Sequence, residues 1–586
     1  MRRRPDNYSP GGGPTLALAS VAVLLAAADT YVVVLALPDM MTGVGVGVDQ
    51  LQRATPIVSA FLLGYVATLP LIGRLADLRG SRPVLIGCLL LFAVGCLLTA
   101  SATGLGTLVA GRAVQGVGGG GLVPATLALV AAGWPVERRG LPLGVVGAVQ
   151  ETGSVIGPLA GAAVLAAAGW RAIFWGNLIG ALLLAAGLGA TVRERLSPDR
   201  ATVRERPSPD RDPVGRVLVL AAFGALALFL TAPTRLAEDV TLGLAWSPLL
   251  SAHSWTAPLA VLAVLLAAAA LARWLLRNPA TSLLRDVDAT GSALLAGALA
   301  GLVLAFATAD PQQAAVADDA PFLLGGSAVL LGGFALRQRT ARRPLVPHGT
   351  LRATAAWGAL LVNLLVGAAL VAALVDVPVF ARATSKATQV GAAMVLVRLL
   401  VAVPAGALAG GWAIRRVPPR LVAGMGMLLA AAGLAAMTRW DDATLVGAGG
   451  TVPLVMAGIG FGLAIAPVNA ALLATTEPPV HGVASALVVV ARMIGMLAGL
   501  SILTAVGLRV FYRRQAAIGT PLDLCPNDPA HCPVYTEATH AALLSELHVI
   551  FAGAAVCAAV AAVACLVLLA VPRTARLTPS YATAVT

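Results

Sequence analysis

Six ionisable side chains stand inside long apolar runs of this chain: Asp29, Arg112 and Glu151 in its first part, Asp376, Arg398 and Arg492 in its second. On insertion scales each costs about 3 kcal/mol at the centre of a hydrocarbon layer, so such residues turn inward and find partners. Intramembrane carboxylates commonly carry protons, which makes Asp29 and Glu151 candidate proton sites. Static pairing that holds helices in register is the competing role for all six, Arg112 and Arg398 above all. Glu151 and Arg492 each lie about ten residues into a run entering from one face, hence about 15 Å deep and near the midplane. Asp29 and Arg112 lie nearer the other face and form the second expected pair. Asp376 is expected closer still to the outer water. The first part has one acid to spare and the second one arginine, so a contact between the two parts is expected.

The elements that hold these residues must be membrane helices. The chain has 586 residues, 58% of them hydrophobic and 11% charged, whereas ordinary soluble domains carry about 25% charged residues. Its mean hydropathy is +0.88. The runs are continuous and rich in Leu, Ala, Val and Gly, which excludes the alternating strands of a closed barrel. Sixteen expected helices fall at 15–38, 54–76, 83–103, 106–132, 141–168, 171–191, 214–232, 256–277, 289–309, 321–337, 354–380, 387–413, 421–438, 449–476, 482–514 and 537–571. The fold class is therefore all-α and polytopic: a cytoplasmic stub (1–14), a six-helix half (15–191), a cytoplasmic linker (192–213), central linker helices (214–353), a second six-helix half (354–571) with an outer hairpin (513–546), and a cytoplasmic tail (572–586). The tandem TVRERLSPDR and TVRERPSPDR at the linker cannot bury a core.

The net charge of +13 follows topology, because most basic residues fall in segments that alternate to the cytoplasmic side, and nucleic acid is not an expected partner. Lys386 is the only lysine, so no phosphate-cradling P-loop exists and energy must come from an ion gradient. No zinc spacing or His-Asp catalytic pair stands within the apolar runs; no enzyme activity, metal or cofactor is expected. The histidines, His540 and His548 among them, are read as lying in loops or near helix ends.

After the second run, Gly73, Asp77, Arg79, Gly80 and Arg82 form a charged loop, GRLADLRGSR. Asp77 among Arg74, Arg79 and Arg82 can latch a gate there by charged hydrogen bonds. Gly153, Gly157 and Gly161 recur every fourth residue and let another helix approach closely, while Pro158 permits a bend. Cys525 and Cys532 stand in the outer loop LDLCPNDPAHCPVY, in an oxidising compartment, and a disulfide between them is expected. The last run, from near Val534 to Pro572, extends to about 55 Å against a core of about 30 Å, so its start, with Glu537, His540 and Glu546, is expected to stand in water.

GRLADLRGSR resembles the loop after the second helix of the major facilitator superfamily. Arg112 with Gln115, Gly116 and Gly118 resembles its fourth-helix motif, and Gly153 to Gly161 its fifth-helix antiporter motif. DTYVVV from Asp29 and WRAIFWGN from Trp170 resemble the drug:proton antiporter branch. Within it QETGSV, LVDV around Asp376 and VVVARM around Arg492 are most similar to the triacylglyceride exporters of mycobacteria. The resemblance covers nearly the whole chain except 278–340. It implies a proton-coupled exporter of lipidic or amphipathic molecules in the bacterial plasma membrane, with both termini cytoplasmic, protons and lipid as partners, and an extracytoplasmic lipid-binding lipoprotein beside it. Multidrug:proton antiport is the alternative, and a non-transporting sensor or scaffold one of another class. Ser81 replaces the usual basic residue of the loop, and GGWAIRR (410–416) in the second half lacks the acid, so the gate is expected to be asymmetric. Relatives of this branch are expected to have fourteen helices. RDPVG (211–215) and RDVDATG (285–291) open two central pairs alike, consistent with a duplicated hairpin and sixteen.

Overall fold

The computed structural model describes residues 12–46, 51–193, 288–307, 319–385 and 389–570, apart from 342–343, 348, 478–479 and 527–530, with isolated positions between 214 and 266. Residues Met1–Thr191 with Thr290–Thr586 form one compact unit and Val192–Ala289 another. The first half contains α1 (Gly12–Gly43), α2 (Leu51–Arg79), α3 (Ser81–Ala100), α4 (Leu105–Gly133), α5 (Gly140–Ala168) and α6 (Trp170–Arg193); α7 (Ala289–Ala307) and α8 (Ala320–Thr340) follow. The second half contains α9 (Thr354–Ser385), α10 (Gln389–Ala413), α11 (Pro419–Met437), α12 (Ala448–Thr475) and α13 (His481–Ala516), then the short α14 (Pro521–Leu524) and α15 (Pro533–Leu568). Fourteen of the sixteen expected helices are thus present among the described residues. The pair expected at 214–232 and 256–277 lies outside the described residues, as do the stub, most of the linker and the tail.

The halves repeat one packing scheme. In the first, α1 packs on α5 while α4 packs on both α2 and α3; in the second, α9 packs on α13 while α12 packs on both α10 and α11. Small residues make this possible. A Cβ at Gly116 or Gly120 of α4 would run into the backbone carbonyls of Phe61 and Tyr65 on α2, and Gly462 of α12 meets the Val403 carbonyl on α10 in the same way. The halves join along two equivalent seams, α2 with α13 and α5 with α10. Gly80, alone between α2 and α3, has φ 86, a left-handed turn that only glycine adopts without strain.

Helices α13 and α15, 36 residues each, run to about 54 Å at 1.5 Å per residue, well beyond a core of about 30 Å. The face where α13 ends and α15 begins is the hairpin face; the opposite one, where α2 ends and α13 begins, is the latch face. A Cys525–Cys532 disulfide closes the tip. The Thr520 hydroxyl and then its amide donate to Asp523 there and hold its carboxyl below the ordinary 3.8. The beginning of α15 is less watery than expected. Glu546 is buried, and His540 and His548 lie inside the helix, bonded to the carbonyls of Ala383 and Trp440. The third wall of this end is α9 and the 438–447 turn, whose rings Phe380 and Trp440 stack with Phe551.

Candidate functional site

Glu151 and Arg492 each lie eleven residues into their helices, about 16 Å from the latch face. Arg492 Nη2 donates to Glu151 Oε1 at 2.7 Å, with both side chains nearly buried. The bridge crosses from the first half to the second, so the spare acid and the spare arginine answer one another. It forms one wall of a cavity of about 270 Å³ between α1, α2, α5 and α13. Most of the lining is apolar: Val58, Phe61 and Leu62 from α2 face Met493, Met496, Leu497 and Leu500 from α13. Thr30, Tyr65, Gln150 and Ser154 are its remaining polar groups. Such a space takes an apolar or amphipathic guest, and among the described lining residues the two charges, Glu151 and Arg492, cancel one another for as long as Glu151 is ionised.

Asp29 belongs to a second buried ion pair. Arg112 Nη1 donates to Asp29 Oδ2 at 2.9 Å and to Gln115 Oε1 at 2.7 Å, and Nε reaches the Ile57 carbonyl at 3.4 Å. The guanidinium lies 4.3 Å from the centroid of Phe61, a ring that also lines the cavity. Asn177 on α6 donates to the other carboxylate oxygen, Oδ1, at 2.7 Å. Asp29 and Arg112 are each 1% exposed, so this is a fully buried charge pair with its hydrogen bonds filled, and four helices of the first half contribute to it. Gln115 and Asn177 stand in motifs legible in the sequence, but their pairing with Asp29 and Arg112 was not.

Asp77 joins the two halves through backbone amides, with the charge of Arg74 acting beside them. Its Oδ1 accepts the Gly482 amide at 2.6 Å and its Oδ2 the Val483 amide at 3.0 Å. These are orphan N–H groups of the first turn of α13, where the helix dipole also favours an anion. These hydrogen-bond partners are backbone of the second half, which carries no side-chain signal. Gly73, one turn earlier on α2, faces the Gly482 carbonyl. Arg79 and Gly80 are exposed. At the equivalent seam Gly140 of α5 and Gly411 of α10 meet backbone to backbone. The two seams differ: one is joined by a carboxylate on helix amides and the other by glycine contact.

A triacylglyceride transporter of Mycobacteroides abscessus is 35% identical over 509 residues, covering 85% of this chain and 83% of its own. The chain belongs to the major facilitator superfamily. The sequence model of the Major Facilitator Superfamily matches residues 19–247. A triacylglyceride transporter of Mycobacterium tuberculosis is 34% identical over 525 residues, covering 87% of this chain and 85% of that one. The human organic anion transporter MFSD10 shares the fold, with a TM-score of 0.53, 14% identity, and coverage of 92% of this chain and 100% of that one. So does the proton:xylose symporter XylE, with 0.52, 14%, and 94% and 95%.

The remaining residues sort by what they touch. Gly153, Gly157 and Gly161 of α5 seat the Leu24, Ala28 and Val32 positions of α1, so close packing accounts for all three; the Pro158 side chain lies outside the described residues. Arg398 donates to the Leu445 carbonyl at 3.2 Å and the Thr451 hydroxyl at 3.0 Å, which ties α10 to the start of α12. Asp376, expected near water, is only 5% exposed. Its neighbour is Glu546, which the sequence placed among solvated residues. Cys88, Cys96 and Cys565 are buried and Cys557 is partly so. Arg171 on α6 ties the Gly43 and Ala102 carbonyls together, a contact that the sequence did not announce.

Proposed function

We propose that this superfamily member exports triacylglyceride-type lipid from the bacterial plasma membrane in exchange for protons, by alternating access, with both termini cytoplasmic. The observation that carries the proposal is the Glu151–Arg492 bridge between halves in the wall of an apolar cavity. The substrate class comes from the relatives, which are named triacylglyceride transporters; the aliphatic and methionine lining fits acyl chains. In this reading the latch face is cytoplasmic. The form with Asp77 on the α13 amides and Glu151 on Arg492 is closed to the cytoplasm. A proton arriving from outside neutralises Glu151, and the bridge loses its Coulombic half. The halves then part at the latch, lipid enters, and the proton leaves to the cytoplasm. Re-formation of the bridge closes the latch and turns the lipid outward. The long α13–α15 hairpin shields an apolar cargo past the headgroups, where an extracytoplasmic lipid-binding lipoprotein receives it.

The test compares the extracted lipids of cells lacking the gene with complemented cells. The proposal expects triacylglyceride to accumulate inside the deletion strain and return outward on complementation. Unchanged lipid with raised sensitivity to cationic drugs would move the assignment to drug:proton antiport, and no change in either would favour a sensor or scaffold.

A further inference from the structure

We propose that Gln150 recognises the cargo: its side-chain amide donates a hydrogen bond to an ester carbonyl of an acylglyceride in the cavity between α1, α2, α5 and α13, and so sets a preference for acyl esters over lipids without a carbonyl. The assignment rests on the reading of the chain as a lipid exporter and deepens it, giving a task to a residue that the Glu151–Arg492 exchange does not use. Helix α5 has two working faces. Gly153, Gly157 and Gly161 pack on α1, while Gln150, Glu151 and Ser154 line the cavity within one turn. Gln150 lies ten residues into α5 and is partly buried, about 15 Å from the latch face and near the midplane.

The polar groups of the lining are not equivalent. The Thr30 hydroxyl donates to the Ala26 carbonyl at 2.9 Å and the Ser154 hydroxyl to the Glu151 carbonyl at 2.6 Å, so each has spent its one proton on its own helix. Tyr65 is engaged within the protein, and Glu151 and Arg492 hold one another. Gln150 makes no hydrogen bond among the described residues, which leaves the two N–H donors and the carbonyl of its amide for a guest. An ester carbonyl accepts and does not donate. Drawn from the headgroup layer into an apolar space it gives up its water, a loss that only a donor there makes good. The Gln150 amide is a neutral donor, so it serves the ester without disturbing the charge balance of the bridge, and the chains on either side of the ester have Met493, Met496, Leu497 and Leu500 to run along. An ether-linked lipid of the same shape has no carbonyl and leaves the amide unpaired beside it.

The test is competition binding to the full-length protein in lipid nanodiscs. A triacylglyceride with a fluorescent acyl chain is displaced by an unlabelled medium-chain triacylglyceride and, separately, by the trialkyl ether of the same chain length. The unaltered chain should bind the triester about tenfold more tightly than the triether, the worth of one neutral hydrogen bond. Gln150→Met should bind the two alike, with the affinity for the triether unchanged, which shows that fold and cavity persist. A second readout needs no variant: the carbonyl stretch of an isotope-labelled triester should stand at lower frequency on the protein than in nanodiscs without it, as a hydrogen-bonded ester does. Equal affinities in the unaltered chain, a preference that survives in Gln150→Met, or an unshifted carbonyl band overturns the assignment to Gln150 while leaving lipid export standing. Absence of saturable binding of the fluorescent triacylglyceride would instead overturn the lipid reading, and this assignment with it.

Discussion

Replacing Asp77 by Asn isolates the latch from everything else on its face. The carboxylate accepts two amides of the first turn of α13 at 2.6 and 3.0 Å; the amide side chain keeps one acceptor, presents an NH₂ to the other N–H, and loses the negative charge that the helix dipole favours. A hydrogen bond to a charged group contributes about 1.5–3 kcal/mol, and this one is half-buried, so a loss of about 2 kcal/mol is the reasonable magnitude. That is roughly a thirtyfold change in the ratio of latch-closed to latch-open molecules. Spin labels placed on exposed positions of the latch face, one at the end of α2 and one before α13, read the two populations as two distances. The account expects the long-distance population to grow in Asp77→Asn, with the unfolding temperature little changed. The reasoning is refuted if the distance distribution is the same in both proteins.

Three further outcomes follow from the packing. Asp29→Asn leaves Arg112 buried without its counter-charge, a change that costs about 3–5 kcal/mol, so the yield of folded protein should fall sharply, and thermal unfolding of a Asp29→Asn/Arg112→Gln protein should be closer to that of the unaltered chain. Gly157→Val drives a side chain into the Ala28 backbone of α1; overpacking of this kind costs about 1–3 kcal/mol, to be read as a lowered unfolding temperature in detergent, and an unchanged temperature would show that the α1–α5 seam yields. Shortening α13 and α15 by two turns each at the hairpin face should leave the protein inserted and stop lipid export. Survival of export would make the hairpin structural only.

Much of the fold could be read because a membrane allows few alternatives: every described long helix coincides with a run in the sequence, and the six charges marked the interior. Pairing by depth succeeded for Glu151 with Arg492 and for Asp29 with Arg112, since register along a straight helix is nearly arithmetic. Where partners are backbone, the sequence is silent. The Gly482 and Val483 amides that hold Asp77, and the carbonyls that hold Arg398, have no side-chain signature. Glu546 was misplaced for a different reason. Counting residues beyond a core of about 30 Å says that a helix leaves the lipid, but not that it enters water, and here α9 and the 438–447 turn accompany α15 outward, hold His540 and His548 by their carbonyls, and leave Glu546 buried.

The central claim is that protonation of Glu151 trades one arrangement of the halves for the other. It is tested most directly by lipid movement in proteoliposomes holding the purified chain, triacylglyceride with a fluorescent acyl chain, and an imposed pH gradient. With the compartment at the hairpin face acidic, the unaltered protein should deliver lipid towards that face faster than without a gradient, and Glu151→Gln, which retains a hydrogen bond to Arg492 but carries no proton to exchange, should show no acceleration at all. Gradient-driven delivery by Glu151→Gln equal to that of the unaltered chain would contradict the account.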